Sequence, residues 1–178
     1  MTYIFKQNLL PSSKYGIKAP YGMTPQYITV HNTANDASAA NEIEYMLNNN
    51  NEVSYHIAVD DVEVIQGISF NRNAWHCGDG KGPGNMKSIG VEICYSKSGG
   101  ARYTAAEENA VQYIARLLKV YGWGIDRVKQ HYDWSKKNCP HRIRADGRWN
   151  SFLKRIEQAM KPTTPTQPKE EPKVNTLT

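Results

Sequence analysis

Long apolar runs are missing from this sequence. No stretch approaches the roughly 20 consecutive apolar residues of a membrane-spanning helix, so membrane insertion is not expected. The opening residues, MTYIFKQNLL, have no uninterrupted hydrophobic segment followed by a small-residue cleavage site, and no export signal is visible. Cysteine is scarce and odd in number, at Cys77, Cys94 and Cys139. That argues against a disulfide-built scaffold, leaves a Cys77–Cys94 bridge unsupported, and turns attention to a metal or a free thiol. Internal repeats and coiled-coil heptads are absent. The glycine-rich segment GDGKGPGN lacks both the Lys-Ser/Thr of a phosphate loop and the strand-to-helix setting of a dinucleotide site.

What is present describes one globular core. A length of 178 residues suits a single domain, and 39% apolar residues with 11 Tyr, 4 Trp and 3 Phe are too rich for a disordered chain. Residues 1–161 carry this composition. From Pro162 the sequence PTTPTQPKEEPKVNTLT has almost nothing to pack and reads as a linker or tail, leading to a further module or ending free. Net charge is +5, concentrated in residues 127–161, where ten Lys/Arg face only Asp133, Asp146 and Glu157. A basic face of this kind meets an anionic partner or surface, or only solvent. No nucleic-acid reader motif accompanies it, so nucleic acid is not the expected partner.

The periodicities alternate between helix and strand. The first 25 residues, punctuated by Pro11, Gly16, Pro20, Gly22 and Pro25, suggest an extended entry with turns. Gln26 to His31 is β-rich and alternating, and His31 closes the strand at a loop. Ala39, Ile43, Met46 and Leu47 recur at helical spacing; SYHIAVD and VEVIQGI read as a hairpin; Ser88 to Tyr95 adds a strand. Thr104 and Glu107 have capping-box spacing ahead of an apolar face of Ala110, Val111, Ile114, Leu117, Leu118 and Tyr121. Trp149, Phe152, Leu153, Ile156 and Met160 define a closing helix. The expected fold is α/β, with one central, mainly mixed sheet flanked by helices.

Chemistry-bearing residues are few. His131 and Cys139 are separated by a segment that can fold back on itself, and His31 ends the first strand. Two imidazoles and a thiolate suit zinc and leave a fourth position open, whereas the plain alternative is a strand-end histidine, a surface histidine and a small buried cysteine. In Ser88–Tyr95, Glu92 and Cys94 alternate against Ile89, Val91 and Ile93, which puts Glu92 on the face away from a core packed on those branched residues. The same alternation separates Tyr55 from His56 if their strand is regular, and makes His56 structural.

Taken together, His31 in YITVHNT, the Tyr55–His56 pair, SIGVEI with Glu92 and HYDWSKKNCPHRI resemble the zinc-dependent N-acetylmuramoyl-L-alanine amidases of phage endolysins and bacterial autolysins, especially those of Bacillus phages and prophages. The motifs occur in the family's order and span residues 20–158. The resemblance implies a peptidoglycan-recognition-like fold and zinc held by His31, His131 and Cys139. It further implies that Glu92 is the catalytic carboxylate, with Lys137 and Tyr55 near the scissile amide. His76, Trp134 and Arg142 are candidate substrate contacts, and His141 a rim group. The substrate so implied is the lactyl–alanine amide of Gram-positive peptidoglycan, cut by a monomer made in the cytoplasm and released to the wall. Two alternatives stand beside it: a non-catalytic wall-binding module, and a thiol hydrolase with Cys139 as nucleophile and His131 as base.

Overall fold

The computed structural model describes residues 3–163; the linker expected from residue 162 lies almost wholly outside the described residues. Six strands form one mixed sheet in the order β1-β4-β3-β5-β2-β6: β1 Ile4–Gln7, β2 Tyr27–Asn32, β3 Ile57–Val59, β4 Glu63–Gln66, β5 Ser88–Ile93 and β6 Val128–Gln130. Among these six strands the β3–β4 hairpin pairs antiparallel and the other pairings are parallel. The central strands β2 and β5 are rich in branched residues because helices cover both of their faces.

Among the described residues seven helices surround the sheet: α1 Tyr15–Lys18, α2 Ala39–Asn48, α3 Pro83–Lys87, α4 Gly100–Tyr121, α5 His131–Ser135, α6 His141–Ala145 and α7 Trp149–Met160. One face carries α4 with α7 packed on it. There Ala110, Val111, Ile114, Leu117 and Leu118 lie against Ile28, Val30, Ile89, Val91 and Ile93 to form the larger core. The other face carries α2, whose Ile43 and Met46 pack on Ala58, Ile65 and Cys94. Burial of branched side chains on the α4 face is the main source of cohesion, and it fixes which side of β5 is left for polar groups.

Two local expectations are corrected. The stretch before residue 25 is more regular than its prolines and glycines suggest: β1 pairs in parallel with β4, and α1 follows a 3-10 turn. All four β1 residues are exposed, so no alternation marks the strand. Thr104 and Glu107 do not cap α4, which starts at Gly100. The Thr104 hydroxyl donates to the Gly100 carbonyl one turn back, and Glu107 is buried, accepting hydrogen bonds from Arg148 and Arg155. Burial, the largest single influence, would raise the Glu107 carboxyl, but the hydrogen bonds from Arg148, Tyr103 and Arg155 and the Arg148 charge together hold it below its usual range. The end of α4 is conventional: Gly122, at φ +68°, returns its N–H toward Leu118 and Lys119 in the left-handed conformation glycine tolerates.

Candidate active site

Sheet register builds the site. Parallel pairing sets His31 of β2 beside Glu92 of β5, so both side chains leave the same face, opposite the branched core. On the other flank of β2, Val30 pairs with Gln130, and the next residue, His131, opens α5 beside His31. Gln130 and Asp133 cap that helix reciprocally, with the Gln130 N–H donating to Asp133 over 2.8 Å. The chain then folds back until the Cys139 carbonyl accepts from the Tyr132 N–H, at 3.1 Å.

Three donor atoms converge as a result. The Nδ1 atoms of His31 and His131 are 3.1 Å apart, and Cys139 Sγ is 3.6 Å from His31 Nδ1. All three donors lie within 4.8 Å of one another. Tetrahedral zinc, with bonds of about 2.0–2.3 Å, spaces its ligands by a little over 3 Å. The donor set therefore fits such an ion without rearrangement of the backbone. Burial holds His31 well below its ordinary pKa and, with the Lys137 charge, brings His131 down to about 4, so both rings are neutral with a lone pair to offer. Burial pushes the Cys139 thiol up to about 12. A nucleophilic thiol needs the opposite shift, which disfavours the thiol-hydrolase alternative; a bound cation would itself deprotonate the sulfur.

The cluster forms one wall of a cleft of about 430 Å³ that also receives Glu92, Tyr55, His76, Lys137 and His141. Glu92 Oε2 is buried without a hydrogen-bond partner, and burial, reinforced by Glu42, raises its carboxyl to about 8. An enclosed carboxylate with a free lone pair beside an open ligand set is poised to hold a proton. Lys137 is exposed at the rim, and its positive charge opposes the rise at Glu92. Tyr55 lines the cleft with its hydroxyl donating to the Glu42 carbonyl over 2.8 Å, and burial keeps it un-ionised. Because β3 begins only at Ile57, strand alternation does not reach Tyr55. His56 lies beneath the cleft: its Nδ1 accepts from the Gly90 N–H and its Nε2 donates to the Arg72 carbonyl, a structural bridge.

Two of the candidate substrate contacts lie outside the cleft lining. The Trp134 indole donates to Thr29 Oγ1 and sets its edge against Tyr27, which keeps it out of the cleft lining. Arg142 spends its guanidinium on the Ser96 and Lys97 carbonyls and lies over Tyr103, so it anchors the loop instead of facing the cleft. His76 lines the cleft but is buried, with Nδ1 2.9 Å from His31 Nε2. Sequence reading missed Glu42, which lines the cleft from the polar face of α2, and it missed Cys77, which joins His31 and His76 in a second potential donor triad. That triad lies behind His31. Cys77 is fully buried and lines neither of the two clefts beside the histidines, so an ion there would lack the open position catalysis requires.

Residues 21–142 match the sequence profile of the family described as N-acetylmuramoyl-L-alanine amidase. The chain is 60% identical over 161 residues to the N-acetylmuramoyl-L-alanine amidase XlyB of Bacillus subtilis, covering 90% of this chain and 51% of that protein. It is 63% identical over 156 residues to the amidase CwlA of the same species, covering 87% of this chain and 57% of that protein. The chain thus spans little more than half the length of these relatives. The structure of PlyL superposes with a TM-score of 0.84 at 57% identity, over 86% of this chain and 96% of that one. The PlyG catalytic domain does so with a TM-score of 0.85 at 55% identity, over 92% and 99%. The chain belongs to the N-acetylmuramoyl-L-alanine amidase family, and its α/β fold is the fold of that family's catalytic domains.

Proposed function

We propose that this chain hydrolyses the amide joining the lactyl group of N-acetylmuramic acid to L-alanine in peptidoglycan, with zinc held by His31, His131 and Cys139. The observation that carries this reading is the convergence of the three donors within 4.8 Å at the wall of a cleft that also receives Glu92. A zinc ion in that position supplies Lewis acidity and lowers the pKa of water toward about 7.

The chain's own residues supply the rest. Glu92 Oε2, enclosed and unpartnered, accepts a proton from the attacking water and returns it to the departing alanine nitrogen. Burial raises the proton affinity of the carboxyl in the metal-free protein, and a cation beside it would draw that affinity back down, so that the group could both take up a proton and release it. Lys137, at the mouth of the cleft, offers positive charge where oxyanion charge develops. Tyr55, its proton committed to Glu42, shapes the cleft wall as a neutral donor. The net charge of +5 favours encounter with an anionic wall polymer, an attraction that weakens with salt.

Lys137 also provides a pH test. Its charge lowers the pKa of His31, His131 and Glu92 together. Removing it lets all three retain protons to somewhat higher pH, which weakens metal binding and general-base action at the acidic end. The acidic limb of the Lys137→Ala activity profile is expected to move upward in pH; an unmoved limb with only a lower plateau would leave Lys137 no electrostatic part in the site. The overall reading is tested by digesting purified peptidoglycan with and without a chelator and identifying new ends by mass spectrometry. Free alanine amino ends on intact glycan, lost with chelation and restored by zinc, are expected. New reducing sugars would contradict it.

A further inference from the structure

We propose that His76 is a positioning residue that fixes the tautomer and ring orientation of His31, and that the His76–Cys77 dipeptide orients both ligand histidines from behind the site. The inference rests on the metal reading above and deepens it.

The hydrogen-bond chain admits one assignment of protons for neutral rings. The Ser88 carbonyl can only accept, and His76 Nε2 lies 3.3 Å from it, so that nitrogen carries the His76 proton. His76 Nδ1 is then an acceptor. It faces His31 Nε2 at 2.9 Å, which places the His31 proton on Nε2. What remains bare is His31 Nδ1, the atom that faces His131 Nδ1 and Cys139 Sγ. A ligand imidazole whose far nitrogen donates to a fixed acceptor is held in one tautomer and one plane, and becomes a more basic ligand.

Independent features hold His76 where this requires. Asn85 Oδ1 accepts from the backbone N–H groups of both His76 and Cys77, each at 2.8 Å, and Asn85 Nδ2 is itself tied to the Gly80 carbonyl. The ring lies flat against β5 at Gly90, where a Cβ would come within 2.7 Å of His76 Nδ1; a bare glycine is what lets the ring sit that close to the sheet. The same dipeptide serves the second ligand, because the His131 ring hydrogen-bonds the backbone of Cys77. Cys77 Sγ lies 3.1 Å from His76 Nδ1, a second group within hydrogen-bond reach of that acceptor.

The test combines ring NMR and metal affinity on the full chain loaded with zinc. Long-range proton–nitrogen correlation is expected to show His31 bonded to zinc through Nδ1 and protonated at Nε2. His76→Phe keeps the ring volume and removes the acceptor; by competition with a chromophoric chelator it is expected to hold zinc about 10–100-fold more weakly. His76→Asn, whose side-chain oxygen falls near the position of Nδ1, is expected to restore most of that affinity. The thermal midpoints of the metal-free variants control for folding, and the NMR assignment on the unaltered chain stands whether or not a variant folds. Zinc bound through His31 Nε2, or a folded His76→Phe that holds zinc as tightly as the unaltered chain, would overturn the proposal. An unaltered chain that binds no zinc would instead overturn the metal reading beneath it.

Discussion

Glu92→Gln is expected to lower amide hydrolysis by about 10²–10⁴-fold while the protein keeps its fold and its zinc. The size follows from the loss of one positioned proton-transfer group. Retention of metal follows from geometry, since Glu92 is not among the converging donors. Gln occupies the same volume but cannot take up and return a proton. The burial that makes Glu92 useful also makes its charge costly. In the metal-free protein its folded pKa of about 8 lies above the ordinary carboxylate value of 4.5, so the folded state binds this proton more tightly than the unfolded state. Stability from this group is therefore full below about pH 4.5 and lost as pH rises toward 8. Metal-free Glu92→Gln is accordingly expected to match the unaltered protein at low pH and to exceed it at pH 8 in urea denaturation. Wild-type turnover in Glu92→Gln would remove Glu92 from the chemistry, and identical stability at both pH values would contradict its enclosed environment.

Cys139→Ser is expected to abolish stable zinc binding, and activity with it. Its effect exceeds the 10–100-fold typical of a group outside the ligand shell because a direct donor is removed. Serine is smaller and a far poorer ligand than a thiolate, while His31 and His131 stay in place on β2 and α5. Cys139 is 5% exposed and packed among its neighbours, so the fold should survive a near-isosteric change. Metal analysis after dialysis distinguishes the outcomes. Stoichiometric, tightly held zinc in Cys139→Ser would assign the metal to other donors, with the His31–His76–Cys77 triad the first candidate.

Much of this was legible in the sequence because two periodicities do most of the placing. Alternation in SIGVEI put Ile89, Val91 and Ile93 on one face and Glu92 on the other, and the α4 core takes up the first face. Branched strands and the apolar face of α4 implied a sheet flanked by helices, as observed. Contacts set by tertiary context were less legible. Trp134 and Arg142 lie close in sequence to the ligands, but the indole N–H and the guanidinium found partners in Thr29, Ser96 and Lys97. Edge strand β1 carries no buried face to betray it. Glu107 looked like a cap because only the folded chain brings Arg148 and Arg155 to it. Register explains why His31 and His131 meet across a hundred residues: β2 and β6 pair in parallel, and no local spacing encodes that pairing.

The most direct measurement is a zinc-loaded crystal structure with anomalous scattering at the zinc edge. The expected result is one ion bonded to His31 Nδ1 and His131 Nδ1 at about 2.0–2.1 Å and to Cys139 Sγ at about 2.3 Å, with its fourth position open to the cleft on the Glu92 side. An ion ligated by His76 and Cys77, or one that leaves any of His31, His131 and Cys139 beyond bonding distance, would contradict the account.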